Sequence, residues 1–291
     1  MSLLDKKYAI IEGAPKETEW ELYAREKQLE YEKIVEEFGD DEMVFQHFFE
    51  RNPSFLPGAF EIFGHSGHYP FMDTIISQPQ IGGVLKRFPD FLWLANDSLT
   101  FCPVFIEIEK PNKKMFNKNG TITADFNQAM GQINEWKYLL NNPVNTLLFY
   151  DYFNVPDYLR KREFKPQFVL IYGRRAEYQN EELLRGIRAE HRREQVDIFS
   201  YDRLVPISDC KQFVSCKVRN KEYEVICIPP TFRYRADCAD TLCEYKNFVD
   251  AIDKMEMTTE ERKQFLKSRY EYWCEFGRIK GKGLIVGHEG E

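Results

Sequence analysis

The stretch Val104-Phe105-Ile106-Glu107-Ile108-Glu109 constrains the chain most, because it is an apolar strand pattern that ends in two carboxylates. Strand side chains alternate between faces, so Glu107 and Glu109 point one way while Ile106, Ile108 and Lys110 point the other. Like charges at that spacing repel and burial raises their cost, so the pattern calls for a proton or a divalent cation. Phe91-Leu92-Trp93-Leu94 lies upstream, with the turn residues Asn96-Asp97-Ser98 between, which predicts a hairpin. Asp90 opens the first of these strands and is placed to add a third oxygen ligand. A set of hard carboxylate oxygens selects Mg²⁺, with Mn²⁺ as substitute, over zinc.

The rest of the chain suggests what surrounds this hairpin. Residues 16–38 carry dense charge with no internal Pro or Gly, predicting a solvated helix that makes residues 1–40 a charged appendage. Asp40 or Asp41 caps a second helix over residues 41–51, whose apolar face is Val44, Phe45, Phe48 and Phe49. Residues 54–83, rich in Gly, Pro, His and Ser, predict strand fragments and loops. Beyond the hairpin come a helix over 123–140, strands over 146–150 and 168–173, a helix over 180–194 and a strand over 196–201. This alternation predicts an α/β fold in which a mixed sheet is flanked by helices, over residues 41–205. Residues 206–291 add a hairpin (213–218 and 223–228) and helices near 237–256 and 259–276, the latter opened by a capping box of Thr258 and Glu261. This extension is a candidate oligomerisation element.

Composition removes several alternatives. With 43% hydrophobic and 30% charged residues, disorder and collagen-like structure are excluded. No apolar run approaches the roughly 20 residues of a membrane span, and the opening residues lack a signal-peptide layout, so no membrane association and a cytoplasmic location are expected. The seven cysteines are odd in number and contain no CxxC, which fits reduced thiols rather than a disulfide framework or zinc ribbon. Neither GxGxxG, GxxxxGK[ST] nor a nucleophile elbow is present, which removes support for a small-molecule enzyme.

A helix bearing Gln128 and Gln132, four apart on one face, follows the carboxylate strand. Asp90, then Glu107-Ile108-Glu109, then this helix resembles the core of the PD-(D/E)XK nuclease superfamily, which has a restriction-endonuclease-like fold. More narrowly the chain resembles the Shedu antiphage defence family. The features that carry this are Glu42-Met43-Val44-Phe45-Gln46 to Glu50-Arg51-Asn52-Pro53, Pro89-Asp90-Phe91, Ile106 to Pro111, the Gln128 to Gln132 helix, Ile171-Tyr172-Gly173-Arg174-Arg175 and Ser200-Tyr201-Asp202-Arg203-Leu204. The resemblance implies a metal-dependent endonuclease acting on nucleic acid, DNA foremost, in a protein that assembles as a homo-oligomer (dimer or tetramer). By position it implies Asp90 and Glu107 as metal ligands, Gln128 as a helper and Glu42 as an additional carboxylate. The departure is Glu109, where the pattern has Lys. A glutamate there can bind a second metal or act as general base but cannot supply positive charge.

Phosphate contact therefore falls first to Lys113 and Lys114, with Gln132, His65 and His68 as further candidates for substrate contact. Residues 160–193 hold ten basic and five acidic side chains with interleaved aromatics, a surface suited to tracking phosphates. The net charge of −7 does not oppose this, because residues 1–51 hold seven basic and fourteen acidic side chains and the remainder is balanced. The acidic leading helix is expected to face solvent or a neighbouring subunit. A second reading stays open beside the nuclease: a catalytically silent relative that binds nucleic acid or a protein, with Glu109 marking the lost lysine.

Overall fold

The computed structural model describes residues 8–60, 69–81, 88–191, 195–279 and 290–291. Two helices lead, α1 (Trp20–Glu37) and α2 (Glu42–Arg51). Three strands follow, β1 (Tyr69–Ser77), β2 (Phe91–Asn96) and β3 (Thr100–Ile108), then helices α3 (Ala124–Leu140), α4 (Pro143–Tyr152) and α5 (Asp157–Arg160). Next come β4 (Glu163–Phe164), β5 (Gln167–Ile171), α6 (Glu182–Glu190) and β6 (Val196–Phe199). The chain continues through β7 (Val214–Arg219), β8 (Glu222–Cys227), α7 (Ala239–Leu242), β9 (Tyr245–Lys246), α8 (Phe248–Asp253) and α9 (Glu260–Ile279). The strands form one mixed sheet in the order β6-β5-β3-β2-β1-β7-β8-β9, with β4 beside the start of β3. Thus β7 to β9, from the C-terminal third, extend the sheet that contains the hairpin.

The alternation of the sequence divides the core between the two faces. Phe91, Trp93 and Ala95 of β2 and Val104, Ile106 and Ile108 of β3 face Phe45, Phe48 and Phe49 of α2. Leu92, Leu94 and Phe105 face the other way, toward Phe126, Met130, Ile133 and Trp136 of α3. Helix α3 forms because these apolar residues recur at three- and four-residue steps, and because the Thr123 hydroxyl accepts from Phe126 N at 3.3 Å to cap its start. Asp41 caps α2 in the same way, its carboxylate accepting from Met43 N at 3.1 Å.

Several expectations are corrected. The run over 146–150 is helical, within α4: Asn142 accepts from Val144 N and Pro143 occupies the first turn, a start signal that outweighs a short apolar run. The single helix near 237–256 is broken into α7, β9 and α8, with Asn247 in the left-handed conformation at φ 57°. Thr259 rather than Thr258 caps α9, accepting from Arg262 N, while the Thr258 hydroxyl donates to Glu256 O. The 54–83 region contains β1, a nine-residue strand inside the sheet. The strand over 196–201 ends at Phe199, and Tyr201–Arg203 form a 3₁₀ turn.

Helix α1 is not solvated on all sides. Tyr23, Lys27, Tyr31 and Val35, at four-residue steps, form a buried stripe, whereas Leu29 is exposed. Tyr31 packs on Phe48 and Phe55 with ring centroids 5.4 and 5.1 Å away, and its hydroxyl donates to Tyr201 O at 2.9 Å. The acidic residues occupy the outer faces, so the helix is docked and charged at once. Tyr31→Ala should therefore cost about 3–5 kcal/mol of stability in chemical denaturation, whereas Leu29→Ala should stay within about 0.5 kcal/mol.

Candidate functional site

The antiparallel pairing of β2 and β3 sets Phe91 opposite Ile106, so the next step along brings Asp90 opposite Glu107. Asp90 N donates to Ile106 O at 3.1 Å and Asp90 Oδ2 accepts from Ile108 N at 2.8 Å. These bonds hold the Asp90 carboxyl across the end of β3, in direct interaction with the carboxyl of Glu107. Glu107 is only 8% exposed. Its Oε1 accepts from Gln132 Nε2 of α3 at 2.7 Å, but its Oε2 is buried with no hydrogen bond of good geometry.

Electrostatics follow from this burial. Desolvation raises the Glu107 carboxyl well above the usual carboxylate range, and the Asp90 charge raises it further. Asp90 is raised by burial too, against the pull of the Ile108 N–H, with the Glu42 and Glu109 charges adding to the rise. Glu42, half-buried in the first turn of α2, is raised by burial and then by Glu109. Four carboxylates thus share one electrostatic neighbourhood, contributed by α2, the approach to β2 and the end of β3.

Glu109 lies at the edge of the group. Its carboxylate forms an ion pair with Lys113 Nζ, and its backbone carbonyl accepts from the fully buried Tyr201 hydroxyl. The loop carrying Lys113 is pinned from several directions. Asn112 N donates to Gly39 O at 3.0 Å, and the Glu177 carboxylate accepts from Met115 N and Phe116 N at 3.0 and 2.9 Å. Gly173, at φ 65°, passes so close that a Cβ there would lie 2.9 Å from Lys113 O.

The structure brings Asp90, Glu107, Glu109, Glu42, Lys113 and Gln132 into this neighbourhood. Gln128 is exposed, one turn before Gln132, and Lys114 is exposed with its carbonyl accepting from Thr123 and Tyr172. His65 and His68 lie outside the described residues. Tyr201 and Tyr31 were not singled out by sequence reasoning. The only signal was the Ser200-Tyr201-Asp202-Arg203 string, which carries no hint that its hydroxyl reaches β3.

Among the described residues no group of three or more His, Cys, Asp or Glu side chains is arranged to hold a metal. Mg²⁺, however, keeps several waters and is bound by one or two carboxylates plus substrate phosphates rather than by an all-protein cage. The opposed, interacting Asp90 and Glu107 carboxyls, with no hydrogen bond of good geometry on Glu107 Oε2, fit that kind of two-carboxylate site.

The sign of the pH dependence is set by the raised values of Asp90 and Glu107. Groups whose folded-state values exceed the unfolded ones contribute stability that is complete below the ordinary carboxylate range and is lost as pH rises through the raised values. Glu107→Gln, a neutral isostere that keeps an acceptor for Gln132, should therefore be stabilised over the wild type by about 1–3 kcal/mol at pH 8 in chelator. The difference should shrink toward pH 4, as read by thermal or denaturant melts.

The family described as Shedu protein SduA, C-terminal, matches residues 39–205. No curated protein and no solved structure is detectably similar to the chain. The matched span runs from the start of α2 through the carboxylate hairpin to Tyr201 and Leu204, more than half of the sequence, and the chain therefore belongs to the Shedu family of antiphage defence proteins.

Proposed function

We propose that the protein is a metal-dependent endonuclease that hydrolyses phosphodiester bonds of nucleic acid, foremost DNA, in antiphage defence. The observation that carries this reading is the opposed pair of half-buried Asp90 and buried Glu107, two carboxyls in direct interaction at the end of two strands whose burial otherwise excludes charge. Asp90 and Glu107 would hold Mg²⁺, which when bound supplies an activated water and neutralises charge on the phosphate. The Gln132 amide orients Glu107 by binding its Oε1, leaving Oε2 for the cation. Glu42, with its raised affinity for a proton, is placed to take or return one at the rim of the site.

Lys113 answers the departure at Glu109. The ion pair sets an ammonium beside the carboxylate group from a loop rather than from the strand, so positive charge for the scissile phosphate arrives from a residue four places downstream. Removing one such electrostatic donor costs about 10²–10³ in rate in enzymes of known mechanism. Lys113→Ala should fall in that range, while Lys114→Ala should change cleavage by less than about threefold.

The deciding experiment is cleavage of duplex, nicked and single-stranded DNA and of RNA in Mg²⁺ or Mn²⁺, with Asp90→Ala and Glu107→Gln as controls. Cleavage that both substitutions abolish, together with Mn²⁺ binding by calorimetry that requires Asp90, supports the reading. Nucleic-acid binding with neither cleavage nor metal uptake would leave the silent relative in its place.

A further inference from the structure

A second feature lies on the same face of the sheet. Glu107 is in register with Leu170 of β5, and Leu170 with Ile198 of β6, so the three form one row across parallel strands and their side chains share a face. Ile198 and Ser200 floor a cavity of about 230 Å³. Its walls are Tyr178, Arg185 and Arg188, together with Arg203 from the 3₁₀ turn. Two strand spacings, about 10 Å, separate the row's ends.

Three arginines line the cavity. Arg188 is held in its wall, its guanidinium 4.6 Å above the Tyr178 ring and donating to Ile198 O at 3.4 Å. Arg203 lies 4.2 Å over the Phe199 ring. Neither Arg185 nor Arg203 is in salt-bridge contact with a carboxylate among the described residues, although α6 carries Glu182 and Glu190. The Arg185 and Arg203 guanidinium groups, lining one concavity without a salt bridge to a described carboxylate, match the planar, multidentate recognition of phosphate. The volume is below the roughly 300–1,000 Å³ of pockets that enclose a drug-sized ligand. It suits a phosphate with part of its sugar better than a whole nucleotide.

We propose that this arginine cavity is a phosphate subsite of the nucleic-acid track, holding a backbone phosphate of the same strand whose scissile bond lies at Asp90 and Glu107. A strand carries one phosphate per roughly 3.4 Å of axial rise, so the subsite lies within about three nucleotides of the carboxylates. The inference rests on the nuclease reading and names how that site would hold its substrate.

Fluorescence anisotropy of a labelled DNA duplex and of its single strand, in chelator and over a range of salt, tests it with a readout independent of cleavage. The double variant Arg185→Ala with Arg203→Ala should bind about tenfold more weakly. Its salt dependence should flatten by about 1.8 in the slope of log K against log salt, the change for two lost phosphate contacts. Arg185→Lys with Arg203→Lys should keep most of the slope, and unchanged melting temperatures would show that both variants are folded. Adenosine monophosphate should neither bind measurably nor displace the DNA. Wild-type affinity and slope in the folded Ala variant, beside metal-dependent cleavage by the wild type, would overturn the subsite alone. Arginine-dependent binding of the mononucleotide would instead make the cavity a nucleotide site and overturn the proposal. Absence of any nucleic-acid binding or cleavage by the wild type would overturn it together with the nuclease reading.

Discussion

Two carboxyl groups placed opposite each other on adjacent antiparallel strands set the terms for the rest of this molecule. Directly opposed side chains on a sheet lie about 4.5–5.5 Å apart at Cβ, a distance at which like charges oppose folding. The strands that carry Asp90 and Glu107 are otherwise packed with Phe91, Leu92, Trp93, Phe105 and Ile106, each fully buried. Solvent reaches Asp90 only in part and Glu107 hardly at all, and the surrounding contacts read as compensation. Ile108 N–H fixes one carboxyl, the Gln132 amide fixes the other, and Lys113 neutralises the neighbouring Glu109. What is left is the contact between the two carboxyls themselves, with no hydrogen bond of good geometry on Glu107 Oε2, where a cation or a proton would relieve the repulsion. Stability sacrificed locally in this way is characteristic of sites selected for chemistry rather than for folding.

The charge distribution has a matching logic. The negative excess sits on α1 and the segment before α2, while the arginines of α6 and the Tyr201–Arg203 turn gather on the face that also carries Glu107. Helix α1 is nonetheless tied to the site: Tyr31 donates to Tyr201 O, and Tyr201 donates to Glu109 O. A helix that contributes no side chain to the carboxylate group thus helps to set the backbone position of its third member. The acidic surface of α1 faces outward while its buried tyrosine stripe supports the strand end, so one helix combines surface charge with positioning.

Much of this was legible in the sequence because it depends on periodicity. Alternation along Val104 to Glu109 foretold that Glu107 and Glu109 share a face, and the four-residue step from Gln128 to Gln132 foretold a row of amides on α3. The choice of which amide meets Glu107 was not legible, since it depends on the height of α3 above the sheet. The run over 146–150 misled for a related reason: a threonine and four apolar residues fit a strand and a helical turn equally, and only the Asn142-Pro143 cap decides. The stripe Tyr23, Lys27, Tyr31, Val35 was hidden by the lysine in its middle. Lys27 is buried along its stem while its ammonium reaches Glu30 and Glu256, so a charged letter stands at a core position. Lys113 was visible only as a loop cation, because its pairing with Glu109 requires the turn in which Lys113 N bonds to Lys110 O.

The move of positive charge from the strand to this loop changes what the site depends on. A lysine at position 109 would be aimed by the strand itself, as rigidly as Glu107 is. Lys113 is aimed by a loop whose geometry is set by Asn112 on Gly39, by Glu177 on two backbone amides and by the close passage of Gly173. Each of these anchors belongs to a different element: the α1 to α2 connection, the turn before α6, and the end of β5. The ammonium is therefore placed by the mutual docking of three parts of the fold, and its position relative to the carboxylates is sensitive to any shift among them. An ion pair with Glu109 also gives the lysine a resting partner, so its charge is held close to where a phosphate would enter without an anion being present. On the nuclease reading proposed above, competition between the Glu109 carboxylate and a substrate phosphate for one ammonium would link substrate arrival to the release of Glu109, the one carboxylate of the strand pair whose backbone carbonyl is gripped by Tyr201.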